Sequence, residues 1–558
     1  MYNPDNPLIV QSDRTVLLET ASPNFEAARD RLSVFAELVK SPEHIHTYRI
    51  TPLSLWNAAA LQVPSDTIKG QLAEYSKYPI PDNILTDIDE YMQRYGRLKL
   101  VKEGERLYLV TEDSILLDEV CSQRKVSEYI VERTSARKAE VAADQRGFVK
   151  QALIKVGFPV EDLAGYIQGE DLEVGLREEM VSGGDFALRP YQEEAVDAFY
   201  AGGSIHGGSG VIVLPCGAGK TVVGIGAMER VKSHTLVLTT NTTALRQWRD
   251  EILDKSTLSE EQIGEYSGLR KDIREVTITT YQIMTYRKSK KGPFVHFKLF
   301  EEGNWGLIIY DEVHLLPAPV FRAVANLQSK RRLGLTATLI REDRKEDEVF
   351  SLIGPKKYDV PWRVLEKQGY IATALCTEVR VPFKDENLRL EYALAEPNRK
   401  FKLAATNPAK LSVLSGLLKE HEADRVLIIG QYLDQLHDVA KLTGSPIITG
   451  QTPQSEREVL FERFRTGEVQ RLVVSKVANF AVDLPDANVA IQISGTFGSR
   501  QEEAQRLGRI LRPKQGGEEN QARFYSVVTR DSTEQDYSSK RQLFLTEQGY
   551  RYEIITDM

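Results

Sequence analysis

The sequence predicts an α/β fold in which two tandem parallel-sheet units follow an α+β region. From residue 186 onward, short apolar strands alternate with amphipathic helices, which is typical of a parallel sheet covered on both faces. After about residue 405 the same alternation starts again. Before residue 186, helices and alternating strands are mixed without this regular order.

Length and composition are those of an ordinary globular protein. The 558 residues are enough for about three to four domains, and 41% of them are hydrophobic and 27% charged. No apolar run approaches the ~20 residues that a membrane-spanning helix needs, and the first residues lack the pattern of a secretion signal. We therefore expect a cytoplasmic protein with no membrane partner.

The cysteines and the net charge narrow the function further. Cys121, Cys216 and Cys376 form neither a disulfide framework nor a CxxC metal motif, which indicates a reducing compartment. The formal net charge is −8, whereas proteins that bind nucleic acid through bulk electrostatics are usually basic. Any nucleic-acid site is therefore expected to be a local groove with a salt-dependent affinity.

The first domain is expected over residues 1–120 and begins with short strands around one helix. Apolar residues at helical spacing predict that helix over 23–40. His44 and His46 would share one face of a strand, which is a geometry for metal ligands. Ordinary strand histidines are the favoured interpretation, because metal sites need three or four ligands and no further candidate accompanies this pair.

Residues 50–112 have the elements of a winged-helix-like module. Three helices are predicted, followed by a hairpin of two alternating strands over 97–101 and 106–110. Such modules bind DNA or dock proteins, and the fold leaves both roles open. The next segment, 121–185, is expected to be a helical connector, because 122–142 mixes Lys, Arg and Glu as a solvated helix does.

A strand, a glycine-rich turn and a helix open the first α/β unit, which is expected over 186–365. At their junction we expect a phosphate-binding loop formed by Gly217, Ala218, Gly219, Lys220 and Thr221. The glycines allow a close approach of the backbone to an anion, and the start of a helix favours negative charge. Lys220 adds a positive charge and the Thr221 hydroxyl can bind magnesium. Taken alone, this stretch leaves an ordinary βα turn as the alternative.

An acidic pair follows a later strand of the same unit. Asp311 and Glu312 come directly after the apolar strand over 306–310, where carboxylates are costly to bury unless a cation pairs with them. We expect Asp311 to hold magnesium, and Glu312 to orient and deprotonate a water. Solvated acids at a strand end are the alternative. After the next strand, the hydroxyls of Thr336 and Thr338 can couple this pair to neighbouring loops.

The second α/β unit, expected over 405–558, carries an arginine-rich helix and no phosphate loop. Gln505, Arg509 and Arg512 share one face of this helix. We expect that face to reach the γ-phosphate of a nucleotide across a cleft between the units. A charged surface helix is the alternative. The segment 366–404 is expected to be a linker between the two units.

Four motifs resemble those of superfamily 2 helicases, and most closely those of XPB-type DNA repair helicases. They are LPCGAGKT at 214–221, DEVH at 311–314, LTAT at 335–338 and QRLGRILR at 505–512. The resemblance implies two RecA-like motor domains and a DEVH-type enzyme that uses ATP and Mg²⁺. The long acidic extension of the eukaryotic members is absent, so a prokaryotic-type member is expected.

The resemblance also assigns roles to further residues. Arg189 and Gln192 match the adenine-reading motif, and Asp483 of motif V is retained as a nucleotide contact. Binding to DNA, or coupling to it, is implied for the other matched positions, which are Thr240, Asn241, Thr280, Thr336, Thr338, Ser475, Arg341, Glu342 and Asp343. The last three resemble an Arg-Glu-Asp loop that opens the duplex. In motif V, Ala478 and Asn479 replace the family's Gly-Asp, which leaves their role open.

Two basic segments keep two interpretations each. The segment 384–402 lies where the family has a DNA-gripping thumb. Its basic residues Arg389, Arg399, Lys400 and Lys402 can contact phosphates or belong to an ordinary linker. The segment 286–291, Tyr-Arg-Lys-Ser-Lys-Lys, can line a DNA path or form a solvated loop.

The resulting hypothesis is an ATP-dependent 3′–5′ DNA helicase or translocase that acts in DNA repair. The implied partners are DNA at a junction of single strand and duplex, and a repair nuclease or transcription and repair factors. One alternative is a DNA-dependent ATPase that acts as a conformational switch or scaffold in a repair or transcription assembly and unwinds weakly. An RNA motor is a third hypothesis, which the DEVH motif and the Arg-Glu-Asp loop disfavour.

Overall fold

The structure is a computed structural model of the 558-residue chain. It describes residues 2–40, 44–142, 145–166, 168–203, 207–215, 217–289, 294–316, 320, 330–337, 349, 352–475, 487–495, 521–547 and 550–556. The chain divides into two compact units, of which the first is Met1–Leu214 with Gly219–Val360 and the second is Pro215–Ala218 with Pro361–Met558. Within the described ranges, every helix is too short or too polar to cross a lipid bilayer.

The first unit begins with an antiparallel sheet of order β1-β2-β4-β3 and four helices. The strands are β1 (Leu8–Val10), β2 (Thr15–Glu19), β3 (Glu37–Lys40) and β4 (Ile45–Arg49), and the helices are α1 (Phe25–Leu32), α2 (Pro52–Ala60), α3 (Ser65–Tyr75) and α4 (Asp82–Arg94). The prediction of one helix over 23–40 is wrong in its second half, because Leu38 of β3 pairs with Tyr48 of β4. Pairing within the sheet outweighs the helical spacing of Phe35 and Val39.

A second sheet follows, with order β7-β8-β6-β5-β9. Its strands are β5 (Leu98–Glu103), β6 (Arg106–Val110), β7 (Ile130–Ser135), β8 (Lys138–Val141) and β9 (Val160–Asp162), and its helices are α5 (Ser114–Ser122), α6 (Arg124–Ser127) and α7 (Arg146–Lys155). The expected solvated helix over 122–142 is wrong, because β7 and β8 form an antiparallel hairpin there. Ala139 and Val141 are buried two positions apart, which is the period of a strand.

The helices and the hairpin of the expected winged-helix-like module are present as α2, α3, α4, β5 and β6. They belong to two different hydrophobic cores. The helices contribute Ile68 and Ile88 to a core that also contains Leu18 of β2. The hairpin contributes Leu100 and Leu109 to a core with α5, α6 and α7. The module is therefore divided between two neighbouring cores of the first unit.

The larger sheet of the first unit has the order β12-β13-β11-β14-β15-β10-β16. Its strands are β10 (Ser209–Val213), β11 (Thr235–Thr239), β12 (Ile263–Tyr266), β13 (Val276–Thr280), β14 (Leu307–Asp311), β15 (Arg331–Thr336) and β16 (Lys356–Asp359). The accompanying helices are α8 (Pro190–Tyr200), α9 (Lys220–Val231), α10 (Thr242–Lys255), α11 (Tyr281–Met284) and α12 (Leu299–Glu302), with 3₁₀ turns at Ala201–Gly203, Glu260–Gln262 and Val313–Leu315. Every pairing is parallel, which confirms the prediction. All carboxyl ends therefore meet at one edge of this sheet.

The second unit has a parallel sheet of order β19-β20-β18-β21-β22-β17-β23. Its strands are β17 (Thr373–Val381), β18 (Val426–Gly430), β19 (Ile447–Ile448), β20 (Arg471–Ser475), β21 (Val489–Gln492), β22 (Gln521–Thr529) and β23 (Arg551–Thr556). Its helices are α13 (Trp362–Lys367), α14 (Glu386–Leu394), α15 (Pro397–Ala405), α16 (Lys410–Glu420), α17 (Leu433–Thr443), α18 (Gln454–Arg465) and α19 (Thr533–Glu547). The segment 366–404 differs from the expected linker, because β17 lies inside this sheet and pairs with both β22 and β23.

Candidate active site

The glycine-rich turn after β10 has the geometry of a phosphate-binding loop. Strand β10 is completely buried, and helix α9 begins at Lys220 with Gly219 as its N-cap. Gly217 and Gly219 have φ angles of 81° and 77°, a region that side chains other than glycine rarely adopt. A Cβ atom on Gly219 would lie 2.5 Å from Nε2 of Gln192. Both glycines are therefore required for this turn, which points the first N–H groups of a twelve-residue helix towards an incoming anion.

The acidic pair lies at the same edge of the sheet as this loop. Asp311 is the last residue of β14, and β14 is separated from β10 only by β15. Nζ of Lys220 lies 3.3 Å from Oε1 of Glu312. The sequence separates these two side chains by 92 positions (312 − 220), and the sheet order brings them together. The loop, its lysine and the acidic pair thus form one site.

The backbone of Glu312 adopts a left-handed conformation, with φ of 47°. Such a conformation costs a residue with a side chain about 1–3 kcal/mol and persists only where surrounding contacts impose it. It turns the chain sharply after β14, so that the carboxylates of two adjacent residues are both held at the strand end. The backbone N–H of Glu312 donates to Oδ1 of Asp311 at 3.0 Å, which fixes the first carboxylate relative to the second.

Asp311 is held by two aromatic side chains that the sequence analysis did not single out. Nε1 of Trp248 donates to Oδ2 of Asp311 at 3.1 Å, and the Tyr281 hydroxyl donates to its backbone carbonyl at 2.8 Å. Trp248 is buried, and a Cβ on Gly224 would lie 2.3 Å from its ring. A buried indole N–H usually has a hydrogen-bond partner. A tryptophan in the helix that follows β11 is therefore the feature of the sequence that could have indicated this contact.

The two carboxyls titrate differently because their surroundings differ. Burial, followed by repulsion from Glu312, raises the pKa of Asp311 to about 6, although Lys220 and Trp248 oppose the rise. Burial also favours the neutral form of Glu312, but attraction by Lys220 and His314 holds its pKa below the ordinary value. Near neutral pH, Glu312 is therefore ionised, and Asp311 takes up a proton more readily than an ordinary aspartate.

His314 connects the acidic pair to the end of the next strand. Its Nδ1 lies 2.7 Å from Oγ1 of Thr336 and 3.4 Å from Oε2 of Glu312. Both His314 and Thr336 are buried. The backbone N–H of Leu214 donates to the carbonyl of Thr336, so the phosphate-loop strand is tied to the same point. A movement of Glu312 would therefore reach Thr336 through His314.

Arg189 and Gln192 lie at the start of α8, beside the phosphate loop. The backbone N–H of Arg189 donates to Oε1 of Gln192 at 3.0 Å, and Nη1 of Arg189 donates to the Tyr191 hydroxyl at 3.3 Å. Gln192 is buried, and its amide is the group that a Cβ on Gly219 would meet. The structure therefore brings Gln192 against the loop, as a residue that contacts a nucleotide bound there needs to be.

The polar residues expected to hold a DNA strand lie at the ends of β11 and β13. Oδ1 of Asn241 accepts from the backbone N–H of Ala244 at 2.9 Å, and Nδ2 of Asn241 donates to the Thr240 hydroxyl. The Thr280 hydroxyl accepts from the backbone N–H of Ile283. Asn241 and Thr280 thus cap α10 and α11, and they place the starts of both helices at the edge that carries the phosphate loop.

The other predicted site residues are placed as follows. Thr221 is the second residue of α9 and is half-buried. In the second unit, Ser475 ends β20 and is buried, and no hydrogen-bond partner of its Oγ lies among the described residues. Several predicted residues lie outside the described part of the chain: Cys216, Thr338, Arg341, Glu342, Asp343, Ala478, Asn479, Asp483, Gln505, Arg509 and Arg512.

The described residues suit a magnesium-bound nucleotide. Oε2 of Glu312 is buried and lies 3.4 Å from Nδ1 of His314, without a full hydrogen bond from the described part of the chain, so it can still accept one from a water or ligand. No cluster of three or more His, Cys, Asp or Glu that could hold a metal occurs among the described residues. Mg²⁺ is usually held by one or two carboxylates together with substrate phosphates, and Asp311 and the Thr221 hydroxyl are groups of that chemical type.

Comparison with protein families matches three parts of the chain. Residues 365–558 match the ERCC3/RAD25/XPB C-terminal helicase family. Residues 185–341 match the res subunit of type III restriction enzymes, and residues 8–135 match the helicase conserved C-terminal domain. The two family matches that cover the parallel sheets are thus both to helicase or restriction-enzyme domains.

Two similar proteins and one solved structure extend this result. The chain is 54% identical to the "DNA 3′-5′ helicase XPB" of Kineococcus radiotolerans over 99% of this chain and 96% of that protein. It is 36% identical to the "General transcription and DNA repair factor IIH helicase/translocase subunit XPB" of Antonospora locustae, over 99% and 81% of the two chains.

The solved structure is "ATP-dependent Type ISP restriction-modification enzyme LlaBIII bound to DNA". It aligns with a TM-score of 0.50 and 14% identity over 67% of this chain and 31% of that one, a likeness that shows the fold alone. The identity to full-length relatives and the match to the XPB C-terminal model show that this chain belongs to the XPB helicase family.

Proposed function

We propose that this chain is an ATP-dependent 3′–5′ DNA helicase or translocase of the DEVH type that acts in DNA repair. The observation that carries the proposal is the contact of 3.3 Å between Lys220 and Glu312. It joins the phosphate loop to the acidic pair in one site, as ATP hydrolysis requires. The names of the relatives, which are DNA helicases or helicase/translocase subunits, support DNA as the substrate.

In this proposal the first unit supplies the groups that bind and activate. Lys220 exchanges Glu312 for the outer phosphates of ATP, and the start of α9 donates its free N–H groups to them. Asp311 and Thr221 hold Mg²⁺, which supplies positive charge at the phosphates when bound. Glu312, freed from Lys220, accepts a proton from the attacking water and orients it. Arg189 and Gln192 contact the adenine.

Coupling to DNA uses the same edge of the sheet. His314 transmits the position of Glu312 to Thr336, whose hydroxyl lies 2.7 Å away from it. The ends of β11 and β13 present Thr240, Asn241 and Thr280, so the capped helix starts there can hold phosphates of a DNA strand. These contacts are independent of base identity, as movement along any sequence requires.

The remaining assignments rest on the family resemblance. Gln505, Arg509 and Arg512 stabilise charge on the γ-phosphate, Asp483 contacts the nucleotide, and Ser475 and Thr338 couple hydrolysis to DNA. The loop formed by Arg341, Glu342 and Asp343 opens the duplex. We further propose a first motor domain over 186–365, a second motor domain that begins before β17, and a cytoplasmic location. A repair nuclease or transcription and repair factors are the proposed protein partners, since one relative is named as a subunit of a general transcription and DNA repair factor.

The test is the DNA-stimulated ATPase activity of Lys220→Ala and Glu312→Gln. Each should lose about 10²–10⁴-fold in rate, because the first removes the phosphate-binding charge and the second removes the base. Unchanged melting temperatures are the control for folding. Normal ATPase activity in either variant would contradict the assignment.

A strand-displacement assay on forked DNA tests the helicase part separately. The wild-type chain should displace a strand in the presence of ATP and Mg²⁺, and ATPase activity should rise more with DNA than with RNA. ATP hydrolysis without displacement would instead support the conformational switch, and stronger stimulation by RNA would support an RNA motor.

A further inference from the structure

An exposed aromatic and basic surface lies beyond the loops proposed to hold DNA. We call it the tyrosine–histidine patch and define it by Tyr266, Lys271, Tyr286 and His296. Tyr266 ends β12, and Tyr286 follows two residues after α11. The Tyr286 side chain is 52% exposed, which is unusual for a large ring that belongs to a packed cluster.

The patch is an ordered arrangement of rings. The Tyr266 hydroxyl lies 2.9 Å from Nδ1 of His296, and their ring centroids are 5.5 Å apart at an edge-to-face angle. The ring of Tyr286 is also close to His296, with centroids 6.0 Å apart. Nζ of Lys271 lies 4.3 Å from the centroid of the Tyr266 ring. The contacts hold the rings in place and add positive charge beside them.

A second cluster anchors the loop that carries Tyr286. The guanidinium of Arg287 lies 3.7 Å from the ring centroid of Phe294, and Phe294 stacks on Phe297 with centroids 4.5 Å apart. Phe297 packs against the hydrophobic core of the first unit. The residue next to Tyr286 is therefore connected to the core through two aromatic side chains.

The order of the sheet places the patch in line with the proposed DNA path. The strands run β12-β13-β11 from the edge inward, and all are parallel. Their carboxyl ends therefore form one row: Tyr266 at the end of β12, Thr280 at the end of β13, and Thr240 with Asn241 directly after β11. The phosphate loop lies further along the same edge, after β10. A strand that contacts Asn241 and Thr280 continues towards the patch.

We propose that the tyrosine–histidine patch stacks an unpaired base of the DNA strand that follows this edge. The inference rests on the proposed DNA path. Exposed aromatic rings beside positive charges are the surface that single-stranded nucleic acid favours, because every base has a face that can stack. Lys271, Arg287 and Lys288 supply the complementary charge for the phosphates. For residues 286–289, the described part of the basic segment 286–291, this favours the interpretation in which the segment lines the DNA path.

The test compares a normal strand with one that has no bases. Binding of fluorescein-labelled oligo-dT and of an abasic strand of equal length is measured by anisotropy at one fixed salt concentration. Tyr286→Ala should weaken binding of oligo-dT about tenfold, since stacking on one ring is worth ~1–3 kcal/mol and ~1.4 kcal/mol corresponds to tenfold. The same change should leave binding of the abasic strand unaltered.

Two variants serve as controls. Tyr286→Phe keeps the ring and should bind oligo-dT as the wild-type chain does. Val181→Ala removes apolar surface from a residue that is 69% exposed near the distant end of α10, where its N–H donates to Asp254. Because that helix has 14 residues and spans ~21 Å, this control lies far from the patch and should change neither affinity.

The outcomes separate this inference from the proposed function. Equal loss of affinity for both strands in Tyr286→Ala, or no loss for oligo-dT, overturns the stacking role while DNA-stimulated ATPase activity stands. A wild-type chain that binds neither strand overturns the proposed function, and this inference with it.

Discussion

The two seven-stranded sheets share one frame and differ in how they use buried charge. The first sheet contains β10–β16 and the second contains β17–β23. When the seven strands of each sheet are renumbered from 1 in chain order, both sheets have the spatial order 3-4-2-5-6-1-7. The strand β14 corresponds to β21 and the phosphate-loop strand β10 corresponds to β17. The strand β14 ends in Asp311 and is followed by Glu312, whereas β21 ends in Gln492 and is followed by Ile493.

Two buried carboxylates of the second unit have several hydrogen-bond partners each. Nζ of Lys410 donates to both oxygens of Glu534 at 2.7 and 2.8 Å and to the carbonyl of Ile493 at 2.9 Å. Glu378 accepts from the side chains of Arg380, Ser538 and Tyr552. In the first unit, by contrast, Asp311 has a raised pKa and Glu312 a strained backbone. Buried charged groups with a full set of partners thus belong to a structural cluster, and the buried carboxylates with a raised pKa or a strained backbone belong to the candidate active site.

Glu534→Gln should have the largest effect on stability. It leaves the ammonium of Lys410 buried without its carboxylate, which typically costs about 3–5 kcal/mol. Urea unfolding, in which the unfolding transition of the second unit is followed, measures this loss of stability. The paired variant Lys410→Met with Glu534→Leu should recover most of the lost stability. About 1 kcal/mol should remain lost, because the Thr529 N–H donates to Glu534 in the wild-type chain and has no such acceptor in the variant. A single variant as stable as the wild-type chain would contradict the structural role of the pair.

Asp311→Asn should increase the free energy of unfolding, by less than Glu534→Gln decreases it. Burial raises the pKa of Asp311 above its unfolded value, so at pH 7 the folded chain carries a carboxylate that favours protonation. Its cost is absent at low pH and grows as the pH rises through 4 to 6. The amide removes that cost, so unfolding at pH 7 should require about 1–2 kcal/mol more. ATPase activity should be lost. Equal stabilisation at pH 4 and pH 7 would disagree with this explanation.

Trp248→Phe should have the smallest effect, on the pH dependence of ATPase activity. The indole N–H stabilises the ionised form of Asp311 and thus lowers its pKa. Its removal raises that pKa, so the acid limb of the kcat/KM profile should move to higher pH by about 0.7 of a unit, for a hydrogen bond of ~1 kcal/mol. A matched change, Trp305→Phe, removes an indole whose N–H donates to the Leu299 carbonyl instead. An identical shift in that control would exclude the proposed cause.

The sequence was sufficient for the two parallel sheets because their strands are apolar throughout and recur with helices between them. For shorter segments, the spacing of apolar residues along the chain predicts the wrong secondary structure. Residues 37–40 form a strand only because β4 pairs with them, and β17 was placed in a linker although it lies inside a sheet. The shared strand order of the two sheets is a matter of pairing alone, which no local pattern encodes.

The site shows the same division between local and distant information. The phosphate loop and the acidic pair were predicted because each is a short segment with a distinctive composition. Trp248 and Tyr281 were missed because they contact Asp311 from 63 and 30 positions away. The contact between Lys220 and Glu312 was likewise out of reach, since it depends on β15 lying between β10 and β14.

That contact also acts as a resting position for the site. In the proposed function, the phosphates of a nucleotide would take the place of Glu312 beside Lys220. Glu312 would then be free to accept a proton from water. Binding of the substrate and release of the base would be a single step.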